Sequence, residues 1–285
     1  MQVHIEKNAR MPVVFEKNAL FADRYRLVDF LGNGKKTEVW HAYDTLTDVN
    51  VAIKFYVTDT AEEDVLGKFA LVFDINHTNI LHPIYVGKHD GMIYEIMQYC
   101  RLGNVAKLIE KDTSVPEEVC WKILHDVSAG LSCLHDRHRP ILHLDIKPDN
   151  ILIQDDCYMI TDFGISDVFR EEKVKAVNGT VAYMAPERFQ EDNSPIKAND
   201  IWSLGATMFE LMSGGELPYG EMGGSVQAPS EAQPEVSADY SPDIRRLVNK
   251  CLAFYPWDRP LAKDLALYSY KKMQSNNTNF LNSTL

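Results

Sequence analysis

The pattern of apolar residues changes once along this chain of 285 residues, near Cys100. Before Cys100, short segments rich in Val, Ile, Tyr and Phe are separated by Gly, Asn and Asp, which is typical of β-strands joined by turns. The predicted strands are Tyr25–Leu31, Glu38–Asp44, Asn50–Tyr56, Ile84–Lys88 and Met92–Tyr99. A helix is predicted after the third strand, because Thr60 and Glu63 have the spacing of a capping box and an apolar helical pattern follows them.

After Cys100 the apolar residues recur at helical spacing. Ser114 and Glu117 predict a capping box at the start of an amphipathic helix. Further helices are predicted at Asn199–Met212, which is apolar on nearly all sides, at Pro242–Leu252 and at Leu261–Met273. The sequence therefore predicts an α+β fold in which a β-rich part precedes a helical part.

Composition argues against several classes of protein. With 29 Lys and Arg against 41 Asp and Glu, the net charge is −12, which disfavours a general nucleic-acid binder. The longest largely apolar stretch, Ile201–Met212, is far shorter than the roughly 20 residues that span a bilayer.

The charged N-terminus MQVHIEKNAR lacks the apolar run of a signal peptide. Five widely spaced cysteines, an odd number, are typical of a reducing compartment, so we expect a cytoplasmic enzyme or binding domain.

Two features of the β-rich part are candidates for phosphate binding. Gly32 and Gly34 lie between predicted strands, where glycine lets the N–H groups of a turn approach a phosphate chain. Thr37 stands where a Gly-rich loop has its third glycine, and no helix follows, which disfavours a dinucleotide site. Lys54 ends the apolar run Val-Ala-Ile-Lys and is suited to hold nucleotide phosphates. Taken singly, the two glycines are equally consistent with an ordinary β-turn, and a lone lysine in a strand is usually just solvated.

The helical part contains three short motifs in a fixed order. His143–Asn150 reads His-Leu-Asp-Ile-Lys-Pro-Asp-Asn, Asp162–Gly164 reads Asp-Phe-Gly, and Ala185–Glu187 reads Ala-Pro-Glu. With these motifs the chain resembles the protein kinase family, and the Asp-x-Lys-Pro-x-Asn element is similar to that of the serine/threonine branch. The resemblance implies a bilobal fold, with a small N-terminal antiparallel sheet lobe that carries one helix and a larger, mainly helical C-terminal lobe.

The resemblance also implies how the chain is divided. It covers residues 24–273, with an N-terminal lobe at 24–99 and a C-terminal lobe at 100–273. Residues 1–23 are expected to form an extension before this domain, and residues 274–285 a polar C-terminal tail.

By the same resemblance, the chain is expected to bind ATP and Mg²⁺ and to phosphorylate serine and threonine hydroxyls of proteins. Asp145 is expected to orient the substrate hydroxyl and accept its proton, and Lys147 to stabilise the transferring phosphoryl group. Asn150 and Asp162 are expected to hold Mg²⁺, and Lys54 the ATP phosphates. The other expected ATP-binding residues are Leu31, Gly32, Gly34, Val39, Ala52, Met97, Gln98, Cys100 and Leu152.

Two supporting contacts are implied as well. Thr180 is expected to form hydrogen bonds near Asp145 and Lys147. Glu187 and Arg259 are expected to form a buried ion pair that anchors the activation segment in the helical lobe.

The chain departs from the family pattern at two positions. Leu144 replaces the arginine that normally binds a phosphate on the activation segment, and Ser166 is the only hydroxyl residue in Ile165–Asn178. We therefore expect activity that does not depend on phosphorylation of this segment. Lys68 stands where the family has a glutamate that pairs with the ATP-binding lysine, and Asp64, one turn earlier, is the alternative partner.

An active protein kinase is the favoured function, because the catalytic and metal-binding side chains are all retained. The alternative, suggested by Lys68, is a nucleotide-binding pseudokinase that acts as an interaction module. A small-molecule kinase is disfavoured by the Ala-Pro-Glu element, which serves protein substrates. Residues 198–244 hold eight acidic residues and no Lys or Arg, so they form either a solvated surface or an attractant for a partner with basic segments.

Overall fold

The structure is a computed structural model that describes residues 15–34, 36–56, 62–109, 113–162, 167–168, 180–230 and 232–283. The chain divides into two compact units. The first comprises Met1–Phe73 and Pro83–Tyr99, and the second comprises Asp74–His82 and Cys100–Leu285. The boundary at Cys100 coincides with the change of apolar pattern in the sequence.

An antiparallel sheet forms the framework of the first unit. Its described strands are β1 (Leu20–Phe21), β2 (Tyr25–Asn33), β3 (Thr37–Asp44), β4 (Val49–Tyr56), β5 (Tyr85–His89) and β6 (Met92–Gln98), and their order across the sheet is β1-β2-β3-β4-β6-β5. The predicted strands are confirmed, with ends that differ by two residues at most. Helix α1 (Glu62–Val72) follows β4, as predicted, whereas its predicted cap, Thr60, lies outside the described residues.

Residues before Tyr25 complete the core of this sheet. Phe21, in β1, is buried and contacts the fully buried Phe55 edge to face at 4.9 Å. The ring of Phe15 stacks on that of Phe55, with 4.0 Å between the ring centroids. The described part of the predicted extension therefore packs on the sheet, and its two-residue strand is too short for any periodic signal in the sequence.

The second unit is mainly helical. Its longer helices are α2 (Glu117–His135), α3 (Lys197–Met212), α4 (Pro242–Cys251) and α5 (Ala262–Ser283). Its short strands are β7 (Ile141–Leu142), which pairs with β10 (Asp167–Val168), and the hairpin β8 (Ile151–Gln154) and β9 (Cys157–Ile160). Nearly every side chain of α3 is buried, as its all-round apolar pattern predicts, and α2 packs against both α3 and α5. In the described residues, no helix combines the length and apolarity needed to cross a bilayer.

Two predicted helix ends are wrong. Ser114 does not cap α2, whose N-terminal flanking residue is Pro116. Glu117 instead accepts hydrogen bonds from the backbone N–H of Ser241 at 2.7 Å and from Trp121 Nε1 at 2.9 Å, so a partner 124 residues away replaces the local one. Helix α5 continues past Met273 to Ser283, because no glycine or proline interrupts it.

Candidate active site

The segment that follows β7 carries the predicted catalytic aspartate and is held in an unusual conformation. Leu144 has a φ of 64°, in the left-handed region that residues with a branched side chain rarely adopt. Its N–H donates to Asp200 Oδ1 at 2.7 Å, and the N–H of His143 donates to Asp200 Oδ2 at 2.9 Å. One carboxylate on the buried helix α3 therefore fixes the backbone next to Asp145.

Asp200 is fully buried and keeps its negative charge through its partners. His135 Nε2 lies 2.8 Å from Asp200 Oδ2. Burial by itself raises the pKa of the Asp200 carboxyl. This effect is outweighed by the hydrogen bond from His135, the nearby charges of His135 and His143, and the hydrogen bond from the His143 N–H. The pKa of Asp200 therefore lies below its ordinary value. An ionised Asp200 is the stronger acceptor for the two N–H groups it holds.

Asp145 lies at the centre of a hydrogen-bond network and is nearly buried. Asn150 Nδ2 donates to its Oδ2 at 2.8 Å, and Thr180 donates to its Oδ1 through Oγ1 at 3.1 Å and through the backbone N–H at 3.2 Å. Lys147 Nζ lies 3.1 Å from Asp145 Oδ2 and donates to Thr180 Oγ1 at 2.7 Å. The predicted contacts of Thr180 with Asp145 and Lys147 are thereby confirmed.

The two predicted metal ligands lie on either side of the β8–β9 hairpin. Asn150 ends a short 3₁₀ helix, Pro148–Asn150, and also donates through Nδ2 to the backbone oxygen of Asp145 at 2.8 Å. This use of the amide nitrogen leaves Oδ1 as the atom suited to a cation. Asp162 follows β9 with a φ of 64° and is exposed. An amide oxygen and a carboxylate are the hard donors that Mg²⁺ prefers, so the residues present fit the ion.

The first unit holds the candidate phosphate-binding residues. Lys54 lies on β4 and is only 9% exposed. Gly32 lies in β2, and the N–H of Gly34 donates to the backbone oxygen of Thr37 at 2.8 Å, which closes the turn between β2 and β3. A Cβ atom on Gly34 would lie 2.8 Å from Thr37 Oγ1, so the close turn favours glycine there. Of the other predicted ATP-binding residues, Leu31, Val39, Ala52, Met97 and Gln98 belong to the first unit, and Cys100 and Leu152 to the second.

Glu95 is a functional candidate that no sequence motif indicates. It lies directly opposite Lys54 in the register of β4 and β6, so the two side chains share a face of the sheet. Glu95 is buried, and Tyr56 Oη donates to its Oε1 at 2.6 Å. The feature of the sequence that could have indicated Glu95 is that it is the single charged residue within an otherwise largely apolar strand. The side chains of Lys68, at the position of the family's glutamate, and of Asp64, the alternative partner, lie outside the described part of the structure.

Comparison with known proteins decides the family. The family model described as the protein kinase domain matches residues 25–270. The chain belongs to the protein kinase family. Its catalytic domain is of the Hanks type, and several curated relatives carry the name serine/threonine-protein kinase.

The relatives are distant but match along most of this kinase chain. Sporulation-specific protein 1 of Saccharomyces cerevisiae is 31% identical over 261 residues, which cover 87% of this chain and 52% of the yeast protein. Serine/threonine-protein kinase fray1 of Dictyostelium discoideum is 30% identical, with 90% of this chain and 47% of that protein covered. For serine/threonine-protein kinase A of Synechocystis the identity is 31%, and the coverages are 87% and 53%. The chain thus spans about half the length of these relatives.

The expected ion pair of the kinase C-terminal lobe is confirmed. Arg259 Nη1 and Nη2 lie 2.6 and 2.8 Å from the two carboxylate oxygens of Glu187, and both side chains are buried. Asn199 Nδ2, on α3, donates to the same carboxylate at 2.6 Å. The pair therefore joins the Ala-Pro-Glu segment to α3 and to the loop before α5.

Leu144 is an apolar, buried residue at the position where kinases normally have a phosphate-binding arginine. Leu144 is 9% exposed and lies among the core residues of the second unit. Ser166 and most of the predicted activation segment lie outside the described residues. In the described part, Asp167 and Val168 form β10 and pair with Leu142 and Ile141.

Proposed function

We propose that this chain transfers the terminal phosphoryl group of ATP to serine and threonine hydroxyls of proteins. The observation that carries the proposal is the network around Asp145, in which Asn150, Thr180 and Lys147 hold one carboxylate from both oxygens. Phosphoryl transfer requires mainly the positioning of the reacting groups and electrostatic stabilisation of the transferring phosphoryl group. A proton acceptor held rigidly, Asp145, beside a cation, Lys147, meets both requirements. The whole domain proposed for this activity is 24–273.

The proposed roles follow from the contacts of each side chain. Asp145 orients the substrate hydroxyl and accepts its proton at a carboxylate oxygen. Lys147, held between Asp145 and Thr180, places a positive charge next to the transferring group. Lys54 binds the ATP phosphates, and the hairpin of β2 and β3, which carries Gly32 and Gly34, covers them.

Asn150 and Asp162 are the proposed ligands of Mg²⁺. When bound, the ion supplies positive charge that neutralises the phosphate oxygens. The hydrogen bonds from Asn150 Nδ2 to Asp145 fix the orientation of the Asn150 amide, and with it the position of the ligand atom, Asn150 Oδ1. The same hydrogen bonds hold the carboxylate of Asp145. The metal ligand and the general base are therefore positioned together.

We further propose that activity does not require phosphorylation of the activation segment. A buried leucine at position 144 cannot form the charge-assisted hydrogen bonds through which an arginine binds a phosphate. The catalytic segment is ordered instead by Asp200, which is present whether or not the chain is phosphorylated.

The test is transfer of labelled phosphate from Mg²⁺–ATP to a generic basic serine/threonine protein substrate. Asp145→Asn should lower the rate by about 10²–10⁴-fold while ATP binding persists, because it removes the base and leaves the nucleotide contacts. Lys54→Met should weaken ATP binding itself. Phosphatase-treated protein should be as active as untreated protein, and a clear loss would contradict the proposed independence.

The second candidate function, a nucleotide-binding pseudokinase, predicts a different outcome. It is favoured by Lys68 at the position of the usual glutamate. ATP binding without detectable transfer, with Asp145→Asn and the natural chain indistinguishable, would establish it in place of the kinase.

A further inference from the structure

A cavity of about 690 Å³ lies beside helix α4 in the second unit, and none of the proposed catalytic residues lines it. Arg245, Arg246, Asn249 and Lys250 of α4 line it together with Gln233 and Asp258 from the flanking loops. We call this depression the α4 cavity. It is an open surface depression lined mainly by polar and charged side chains.

The charges around the α4 cavity are mainly positive. Its described lining residues include three cations of α4 and one carboxylate, that of Asp258. Arg246 already forms an ion pair with Asp243. Within the described part of the chain, no carboxylate lies within ion-pair distance of Arg245 or Lys250, so these two cations are available to an anionic ligand.

Asn249 adds an acceptor to these donors. Its Oδ1 is buried and has no hydrogen-bond partner among the described residues. A buried acceptor without a donor is unfavourable in a folded protein, so a ligand N–H that reaches this oxygen gains a hydrogen bond that the chain alone does not supply. The lining of the cavity therefore combines cations for an anionic group with an asparagine whose amide oxygen has no partner among the described residues.

We propose that the α4 cavity binds an acidic peptide segment of a partner protein. A peptide supplies both required groups, a carboxylate or phosphate for Arg245 and Lys250 and a backbone N–H for Asn249 Oδ1. A free phosphate ion fills little of the volume and has no amide N–H. A nucleic acid needs a wide basic surface, whereas this chain carries a net charge of −12.

Trp257 gives the site a natural reporter. It is 76% exposed, whereas the three other tryptophans, at positions 40, 121 and 202, are at most 7% exposed. Trp257 stacks on Tyr255 at 4.8 Å and precedes Asp258, which lines the cavity. Binding there should change the emission of this one exposed tryptophan.

The experiment titrates the full chain with a short polyglutamate peptide, a phosphoserine peptide of equal length, a polyglutamine peptide and inorganic phosphate. Calorimetry and Trp257 emission provide two independent measures of binding. Both acidic peptides should bind saturably and more tightly than inorganic phosphate, and the glutamine peptide should not bind. Arg245→Ala with Lys250→Ala should weaken acidic-peptide binding about tenfold, because the two substitutions together remove both cations that have no carboxylate partner among the described residues.

Two further variants separate a specific site from general attraction. Lys263→Ala with Lys271→Ala removes the same charge from exposed positions on α5 and should leave binding unchanged. Asn249→Leu should weaken the binding of the acidic peptides and leave the binding of inorganic phosphate unchanged. The proposal is overturned by a lack of saturable binding of the glutamate peptide, by an equal loss in the α5 variant, or by phosphate that binds as tightly as the peptides.

Discussion

Asp200 shows how much of the catalytic segment depends on a single buried carboxylate. We expect Asp200→Asn to destabilise the protein by about 1–3 kcal/mol at pH 7, because an amide has one oxygen and leaves either His143 N–H or Leu144 N–H without an acceptor. The midpoint of urea unfolding measures this change.

The pH dependence of the same variant provides the control. The pKa of Asp200 lies below its ordinary 3.8, so the stability that its charge contributes is complete above that pH and is lost as pH falls through the folded pKa. The natural chain should therefore lose more stability than Asp200→Asn below pH 3.8. Parallel acid curves for the two proteins would show that Asp200 is not held ionised by its partners.

Individual contacts were predicted from the sequence where motifs name both partners, as for Thr180 with Asp145 and for Glu187 with Arg259. The position of Glu95 opposite Lys54 could not be predicted in this way, because it arises from the register of β4 and β6. The role of Leu144 likewise depends on its φ of 64° and on its burial, and neither is readable from the sequence.

The packing of α3 against α4 depends on a glycine. A Cβ atom on Gly205 would lie 2.7 Å from Cys251 Cβ and 3.1 Å from Leu252 Cγ, so the helices approach too closely for any side chain there. We expect Gly205→Ala to destabilise the second unit by about 1–3 kcal/mol through overpacking, although alanine by itself favours a helix by about 1 kcal/mol. Thermal unfolding monitored by circular dichroism measures the effect.

Gly67 in α1 is the matched control. A Cβ atom there meets nothing within 4 Å, so Gly67→Ala should stabilise the helix by up to about 1 kcal/mol. The two substitutions are chemically identical and should differ in sign. If Gly205→Ala were also stabilising, the close contact of α3 with α4 would not be limiting.

The secondary-structure elements themselves were largely predictable, because strand alternation and helical spacing are local patterns. The helix ends were less so. Glu117 was expected to cap α2 with Ser114, yet its partners include Ser241, which reaches it only in the folded chain. A local rule cannot anticipate a competitor from a distant segment.

Charge is distributed unevenly over the molecule, and the structure shows which acidic residues matter. Of the eight in residues 198–244, Asp200 is fully buried, Glu210 accepts a hydrogen bond from Tyr183, and Asp243 pairs with Arg246 and Lys272. The exposed remainder among the described residues is Glu216, Glu221, Glu235 and Asp239. The composition was predictive of a negative surface, but only burial and pairing identify the residues that produce it.

If these exposed carboxylates attract basic protein substrates, reversing three of them should raise the KM for such a substrate. The variant is Glu216→Lys with Glu221→Lys and Glu235→Lys, and the matched control reverses the exposed Glu118, Asp156 and Asp264. We expect a severalfold rise in KM at 0.01 M salt, where charges act over about 30 Å, and a much smaller one at 0.15 M, where they act over about 8 Å. The rate at saturating substrate should not change, because the field affects encounter and not the proposed transfer step. An equal rise in the control would mean that net charge alone is responsible, and an unchanged KM would make this surface simply solvated.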